Sequence, residues 1–381
     1  MNLFCSEEHE LIRASVRSFA ETQIKPLVLQ LDEEEAFSVE LTREMGKLGL
    51  LGITVPEQFG GKGMDMLSFV VAVEELARVD SSQAATVAAH ETLGIWPILE
   101  YGTEEQKNCY LPKLCTGNGL WAFGLTEPDA GSDSRGTKTK AVLINDYWNI
   151  NGSKTFITNG STPLTLGVTV QTIIKGDNEE RMFTCIMVDQ DTPGFSAKTM
   201  KGKLVWRASN TSELFFNDCR VPKHNILGKI GEGSKIMLSA LDVGKLAIAA
   251  MGLGLAQGAY EMALSYAKER KQFGQPISRF QAISFKLAEM AMKLELARNT
   301  LYKACWLKDN NQPFSFEGTI SKLYCSEIAR EIADEAVQIY GGYGLMKDYH
   351  IERFYRDQRL LQIGEGTSEI QKLIISRKIG C

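Results

Sequence analysis

The segment at 362–371, QIGEGTSEIQ, places a single carboxylate, Glu365, between two glycines just before a run with helical spacing. Glycine removes side-chain bulk and permits backbone conformations that other residues resist. The pattern allows two interpretations. Glu365 is either a solvated acid in a turn, or a carboxylate with clear access to a ligand.

A second segment, FGLTEPDAGSDS at 123–134, packs Thr126, Ser132, two glycines and a proline into a short loop. Hydroxyls and uncovered backbone N–H groups suit the polar edge of a heterocycle or a phosphate. A turn with a solvated acid is the alternative.

The segment KTFITNG at 154–160 has the composition of a strand, which would place Phe156 and Thr158 on one face. On such a face the Phe156 ring could stack on a planar ligand, and the Thr158 hydroxyl could form a hydrogen bond with the same ligand. An ordinary half-buried strand face is the alternative.

Two further segments contain residues that suit a phosphate or a close backbone contact. In ERKQFGQPISRFQ, Arg270 has the fork that bonds two pyrophosphate oxygens, although it could also interact with a helix dipole. In AVQIYGGYG, Gly341 and Gly342 would let a ligand approach the backbone. Neither the G-x-G-x-x-G motif after a strand nor the P-loop motif is present.

The composition excludes several classes of function. The 381 residues are 44% hydrophobic and 23% charged, and the net charge of −5 is dispersed, so no nucleic-acid partner is expected. The N-terminal residues do not resemble a signal peptide, and no uncharged apolar run has the length that a bilayer requires. Eight cysteines without a C-x-x-C pair and four scattered histidines predict free thiols in a reducing cytoplasm and no metal site.

The order of the sequence patterns predicts three regions and an α+β fold. The N-terminal part, 1–119, has apolar residues at helical spacing. The segment 120–228 contains short β-branched and aromatic runs with no helices between them, which predicts an antiparallel sheet or barrel. The segment 229–381 predicts a helical bundle, whose buried stripe is Ile283, Leu287, Met290, Leu294, Ala297 and Leu301.

Five of these segments occur in order along the chain: LTEPDAGSD, KTFITNG, RKQFGQPISRFQ, QIYGGYG and EGTSEIQ. Together they resemble the acyl-CoA dehydrogenase family over nearly the whole chain. The resemblance implies a helical domain, a β domain and a C-terminal four-helix bundle. It also implies an oxidoreductase of fatty acid β-oxidation that binds FAD non-covalently and converts an acyl-CoA thioester to its trans-2-enoyl form.

The resemblance assigns three sets of residues to FAD. The isoalloxazine ring would be lined by Phe123, Leu125, Thr126, Gly131, Ser132, Phe156, Ile157 and Thr158. The residues that would hold FAD across a subunit interface are Arg270, Gln272, Phe273, Phe280, Gln281, Gln338, Ile339, Tyr340, Gly341 and Gly342. Thr367 and Glu369 match the segment that meets the adenosine part. A flavin shared between chains implies an oligomer, typically a homotetramer.

Glu365 occupies the position of the catalytic base in most of the family. By this resemblance it removes the α-proton of the thioester while a hydride passes from the β-carbon to flavin N5. Because the α-proton is weakly acidic, the base must be held near it with water excluded, and burial would raise the pKa of the base toward neutrality. In relatives, the backbone N–H of the base and a ribityl hydroxyl stabilise the thioester oxygen.

The resemblance assigns substrate contacts to Ser132, Asp242, Lys245, Gly366 and Arg377. The family usually has Arg at the position of Lys245, and Lys lacks the planar fork of Arg. The family mostly has Tyr at the position of Gly364, so a wall of the acyl pocket is missing. We therefore expect either a bulkier acyl group or a carrier-bound thioester, unless a neighbour such as Tyr343 or Trp206 fills the gap.

Three functions remain open from the sequence. The first is dehydrogenation of short or medium acyl-CoA with an electron-transfer flavoprotein as acceptor. The second is the same chemistry on a carrier-protein thioester, or enoyl reduction. The third is flavin binding without turnover, as in a DNA-associated branch of the family, which the intact Glu365 and the acidic net charge disfavour. We expect a cytoplasmic protein without a membrane or nucleic-acid partner.

Overall fold

The computed structural model describes residues 4–176 and 180–381. The N-terminal helices are α1 Glu7–Phe19, α2 Val28–Glu34, α3 Val39–Lys47, α4 Met66–Ala77, α5 Ser81–Ala89, α6 Trp96–Tyr101 and α7 Glu104–Leu114. The strands that follow are β1 Leu120–Gly124, β2 Lys140–Ile144, β3 Tyr147–Thr158, β4 Thr165–Lys175, β5 Arg181–Asp189, β6 Phe195–Thr199, β7 Thr211–Pro222 and β8 Ile226–Leu227. The C-terminal elements are α8 Gly233–Glu269, β9 Lys271–Gln272, β10 Gln275–Pro276, α9 Gln281–Asp309, α10 Ser315–Tyr340, α11 Ile351–Leu361 and α12 Ser368–Lys378.

The order of helices, strands and helices confirms the α+β fold class. The change to strands falls between α7 and β1, and the return to helices falls between β8 and α8. The domain limits at 119 and 228 stay predictions. The first three residues of the predicted N-terminal domain lie outside the described part of the chain.

The central sheet is mixed and has the strand order β6-β7-β3-β2-β4-β5-β8, with β1 beside β4. Most neighbouring strands are antiparallel, but β4 pairs in parallel with β1 and, at one position, with β2. The expectation of a wholly antiparallel sheet is therefore wrong for β4. The physical reason is the long connection at 125–164, which gives the chain enough length to return and run parallel to β1. Among the described strands no pairing of β6 with β8 closes the sheet, so the expected barrel is not confirmed.

Alternating side chains give the sheet its own apolar core. Trp148 and Ile150 on β3 pack with Leu214 and Phe216 on β7, and all four are buried. This burial follows from the two-residue period of a strand, which sends every second side chain to the same face.

Helix α8 is the central element of the C-terminal bundle. Its 37 residues make it about 55 Å long. By length and composition alone it could cross a membrane, but 78% of its most apolar window is buried inside the protein. Apolar side chains of a core helix explain this composition. On α9, the predicted stripe is confirmed: Leu287, Met290, Leu294, Ala297 and Leu301 are buried, and Ile283 is partly buried.

Helices α8 and α10 run in the same direction. Asp242 accepts a hydrogen bond from Ser315 near their N-terminal ends, and Tyr266 stacks on Tyr340 near their C-terminal ends, with ring centroids 4.1 Å apart. The side chains at the N-terminal ends of this helix pair therefore lie far from those at its C-terminal ends. We call the two ends the Glu365 end and the Arg270 end, after the predicted site residue found at each.

Candidate active site

Glu365 lies in the turn between α11 and α12. Its φ of 51° and the φ of 93° at Gly366 place two consecutive residues in the left-handed conformation, which a non-glycine residue adopts only when its surroundings hold it there. Thr367 then caps α12, because its side chain accepts a hydrogen bond from the Ile370 backbone at 3.3 Å. The turn is thus fixed at the start of a regular helix.

Two buried side chains hold the carbonyl of Gly366. Lys322 Nζ on α10 donates to this oxygen at 2.7 Å, and Gln371 Nε2 on α12 donates to it at 3.0 Å. The backbone N–H of Glu365 has no acceptor among the residues that the structure describes. This N–H is therefore available to a ligand oxygen.

Helix α8 leaves room for the Glu365 carboxylate at Gly244. A Cβ atom on Gly244 would lie 1.9 Å from Glu365 Oε2, far inside van der Waals contact, so the carboxylate keeps this position only while residue 244 is glycine. Oε2 is buried and has no hydrogen-bond partner in the described part of the chain. A buried polar atom without a partner marks either strain or a site for a missing ligand.

The environment of Glu365 sets its protonation near neutral pH. Burial raises the pKa of Glu365 to about 7, and the positive charges of Lys322 and Lys245 act against this rise. Burial also lowers the pKa of Lys322 to about 8, although the Glu365 charge opposes that change. A carboxylate with a pKa near the working pH is well suited to take a proton from a weak carbon acid.

Beside Glu365, Lys245 is 6% exposed and already has partners. Its Nζ donates to Asp242 Oδ1 at 2.6 Å and lies 3.3 Å from the hydroxyl of Thr319 on α10. The predicted substrate contacts Asp242, Lys245 and Gly366 are therefore brought together at the Glu365 end. Ser132 and Arg377 are exposed, on the loop after β1 and on α12.

The two predicted flavin-lining segments lie side by side. The backbone N–H of Thr155 donates to Thr126 O at 2.9 Å, which joins β3 to the loop after β1. Lys154 is fully buried and donates to Leu125 O at 3.0 Å and to Glu127 Oε1 at 2.7 Å. Sequence reasoning missed Lys154 and Glu127, although a lysine inside a strand and an acid within the loop were visible signals of a buried pair.

Phe156 and Thr158 are both more exposed than Ile157 between them, as expected for a shared strand face. Ile157 is buried in the sheet core, so its side chain does not share that face. The strand is nevertheless irregular, since the pairing with β7 shifts between Lys154 and Ile157 and Phe156 has a φ of 59°. The bulge leaves the Phe156 ring 65% exposed, which suits stacking on a ligand.

The remaining predicted flavin residues gather at the Arg270 end. The Arg270 guanidinium lies 5.7 Å from the Tyr343 ring, and Phe273, at the tip of the β9–β10 hairpin, is 94% exposed. Phe280 makes an edge contact with Phe273. The exposed members of this group also include Gln272, Gln281, Gln338, Gly341 and Gly342. Ile339 and Tyr340 are buried, so they offer a ligand only their backbone.

A polar cavity of about 900 Å³ lies between α10, α11 and α12. Thr367 and Glu369 line it, together with the cations Arg330, Arg359 and Lys372. This volume lies within the range of ligand sites. The cavity has room for part of a dinucleotide, and the contact of Thr367 and Glu369 with the adenosine part stays a prediction.

Comparison with known proteins decides the family. Three family models match in order: the N-terminal domain of acyl-CoA dehydrogenase at 6–118, its middle domain at 122–219 and its C-terminal domain at 231–380. The short-chain specific acyl-CoA dehydrogenase of Clostridium acetobutylicum is 43% identical over 380 residues, and the match covers 100% of both chains. The chain belongs to the acyl-CoA dehydrogenase family.

Solved structures of similar proteins cover the whole chain. Butyryl-CoA dehydrogenase from Megasphaera elsdenii is 38% identical with a TM-score of 0.95, and 100% of both chains is covered. A chain in the structure of the electron transferring flavoprotein of Acidaminococcus fermentans is 40% identical, also with a TM-score of 0.95 and 100% coverage of both.

Members of the acyl-CoA dehydrogenase family are FAD-dependent oxidoreductases, and FAD is the cofactor of this enzyme. The residues present fit that cofactor. A Cβ on Gly131, Gly341 or Gly342 would meet nothing within 4 Å, so these segments leave the open space that a large ligand needs. The exposed Phe156 ring and the 900 Å³ cavity provide a stacking surface and a polar site.

The departure of this family member at Gly364 has a local explanation. The nearest heavy atoms to a Cβ on Gly364 all belong to Leu360, with Cδ2 at 3.0 Å. Tyr343 instead lies against Arg270, and Trp206 is buried and bonded to Asp357. Leu360, and neither Tyr343 nor Trp206, therefore lies next to the Cβ position of residue 364.

Proposed function

We propose that this enzyme oxidises a short, linear acyl-CoA to the trans-2-enoyl-CoA, with Glu365 as the base that removes the α-proton. The observation that carries the proposal is the buried, unpartnered Oε2 of Glu365 beside Gly244. A carboxylate that lacks hydrogen-bond donors keeps its lone pairs free for a substrate proton. Its pKa of about 7 makes the carboxylate basic enough to act and ionised often enough at neutral pH.

Residues of the chain would perform three tasks in this reaction. Glu365 Oε2 accepts the α-proton, and the adjacent left-handed turn holds the carboxylate against α8. The free N–H of Glu365 donates to the thioester oxygen as negative charge develops there. Asp242 and Lys245 hold the substrate's polar portion near the Glu365 end. When bound, FAD supplies the acceptor for the hydride of the β-carbon.

The preference for a short chain rests on two supports. The relatives that this chain resembles over its full length include a short-chain specific enzyme and a butyryl-CoA dehydrogenase. Leu360 fills the space beside Gly364, which disfavours the bulkier acyl groups that the missing Tyr had suggested. A carrier-protein thioester stays the alternative substrate, since Lys245 replaces the usual Arg.

The proposed electron acceptor is an electron-transfer flavoprotein. The support is the likeness to a chain in the electron transferring flavoprotein structure from Acidaminococcus fermentans. The proposed assembly is a homo-oligomer in which each flavin contacts two chains. The support is the exposure of the flavin residues at the Arg270 end, which leaves them free to contact a neighbouring chain.

Anaerobic titration of the FAD-loaded enzyme with butyryl-, hexanoyl-, octanoyl- and isobutyryl-CoA tests this function. We expect butyryl-CoA to bleach the flavin absorbance fastest, with a long-wavelength charge-transfer band, and we expect Glu365→Gln to abolish the bleaching. A wild-type flavin that none of these substrates bleaches would overturn the CoA proposal in favour of a carrier-bound thioester. Bleaching at the wild-type rate in Glu365→Gln would overturn the role of Glu365.

A further inference from the structure

We propose that Lys322 is a positioning residue for this reaction. Lys322 fixes the Glu365 turn through the Gly366 carbonyl, and it supplies the buried positive charge that keeps the Glu365 carboxylate ionisable. The proposal rests on the role of Glu365 as the base. Lys322 lies on α10 and belongs to none of the segments from which the sequence predicted site residues.

The geometry around Lys322 is unusual for a lysine. Its side chain is fully buried, whereas buried lysines are almost always paired with an acid. Within the described residues Lys322 forms no ion pair at 4 Å or less, and its Nζ donates to Gly366 O at 2.7 Å. The chain thus buries an ammonium group on a backbone carbonyl, one residue beyond the base.

The hydrogen bond alone does not explain a lysine at this position. Gln371 Nε2 already donates to Gly366 O at 3.0 Å, so a neutral donor satisfies this carbonyl. What Lys322 adds is positive charge near a carboxylate whose Oε2 has no donor of its own. The attraction between these charges favours the ionised base, which the surrounding burial disfavours.

The other charged groups near Lys322 come from α8, α10, α12 and the turn before α12. Glu365, Glu327 and Glu369 stabilise its positive charge, and Lys245 on α8 destabilises it. Glu327 accepts a hydrogen bond from Ser368 at 2.7 Å, so part of its charge is already engaged. Glu369 is exposed, so water screens its charge. Lys245 is paired with Asp242, which leaves Lys322 as the cation with the stronger effect on Glu365.

Three substitutions separate the charge of Lys322 from its hydrogen bond. Lys322→Met removes both, Lys322→Gln keeps a neutral donor, and Lys322→Arg keeps the charge. Lys303→Met is the matched control, because exposed Lys303 on α9 pairs with Glu317 on α10 at 3.5 Å and not with the Glu365 turn. Should Lys322→Met fail to fold, Lys322→Gln and Lys322→Arg still give the comparison.

The first measurement is kcat/KM for butyryl-CoA between pH 5.5 and 8.5. The acid limb is the part of the pH profile where kcat/KM falls as the pH decreases. In Lys322→Met and Lys322→Gln we expect this limb to move to higher pH by about one unit, which lowers kcat/KM roughly tenfold at pH 6. Lys322→Arg and Lys303→Met should keep the wild-type limb. An acid limb that stays in place in both neutral variants would overturn the proposal, even if both lose activity equally at every pH.

The second measurement does not depend on turnover. A small diazo reagent esterifies protonated carboxyl groups with release of N₂, so the pH at which Glu365 ceases to be labelled reports its protonation in flavin-free protein. We expect this midpoint to rise in Lys322→Met and Lys322→Gln, as judged by peptide mass spectrometry. An unchanged midpoint would overturn the proposal. If the midpoint rises but no acyl-CoA bleaches the wild-type flavin, the proposed reaction fails while the effect of Lys322 on Glu365 stands.

Discussion

Replacing Gly244 with alanine would displace the Glu365 carboxylate. The new Cβ would lie 1.9 Å from Glu365 Oε2 and 2.9 Å from Cδ. Ordinary van der Waals contact begins at 3.4 Å, so the oxygen must move by roughly 1.5 Å, the difference between 3.4 and 1.9 Å. A misplacement of about 1 Å can slow an enzyme about 100-fold. We therefore expect kcat/KM for butyryl-CoA to fall by about 100-fold or more.

The assay is the anaerobic rate of flavin reduction by butyryl-CoA at pH 8, where Glu365 is mostly ionised. Gly318→Ala on α10 is the matched control, because its Cβ would meet Leu246 Cδ2 at an ordinary 3.4 Å. Both variants replace a helical glycine with alanine, which by itself favours the helix by about 0.5–1 kcal/mol. Melting temperature and FAD content show whether each variant retains its fold.

The two variants should differ in rate while both retain FAD. If Gly244→Ala reduces its flavin as fast as Gly318→Ala, the carboxylate does not react from the position beside α8. The steric argument for Glu365 would then be wrong.

Three other substitutions test the neighbouring features. The raised pKa of Glu365 means that the native state holds this proton more tightly than the unfolded chain, so stability falls as pH rises from about 4.5 to about 7. In chemical denaturation, the free energy of unfolding of Glu365→Gln should therefore exceed that of wild type by about 3 kcal/mol at pH 8 and differ little from it at pH 4.5. An increase in stability that is the same at both pH values would contradict this reasoning. Leu360→Ala should raise the ratio of kcat/KM for isobutyryl-CoA to that for butyryl-CoA by roughly tenfold, and an unchanged ratio would show that Leu360 does not limit the acyl group. Lys154→Met leaves the buried Glu127 charge without its ion-pair partner, so we expect the free energy of unfolding to fall by about 3 kcal/mol. We also expect the variant to lose FAD on gel filtration. Unchanged stability and unchanged FAD content would argue against the buried pair.

The parts of the fold that depend on local pattern were predictable from the sequence. The stripe on α9 repeats at helical spacing, and each member from Leu287 to Leu301 is buried as expected. The parallel pairing of β1 with β4 was not predictable, because strand pairing depends on residues far apart in the chain. Local alternation indicates a strand but not its neighbour.

The candidate site was only partly visible in the sequence for the same reason. Glu365 was recognised from its glycine neighbours and from the family resemblance. Gly244 and Lys322 have no local signature, because their roles exist only where α8 and α10 meet the turn after α11. The occupation of the Gly364 space by Leu360 also depends on side-chain packing, which a motif does not record.

The length of α8 separates two of the predicted sites within one chain. Gly244, beside Glu365, and Arg270, at the helix end, are connected by a continuous helical path of about 39 Å. In the proposed assembly, a flavin beside Glu365 of one chain would receive its Arg270 contact from another chain. If the chains exchange freely during assembly, a mixture of subunits damaged at Glu365 and subunits damaged at Arg270 contains some sites with neither lesion. Two inactive proteins would then restore each other's activity, as in interallelic complementation.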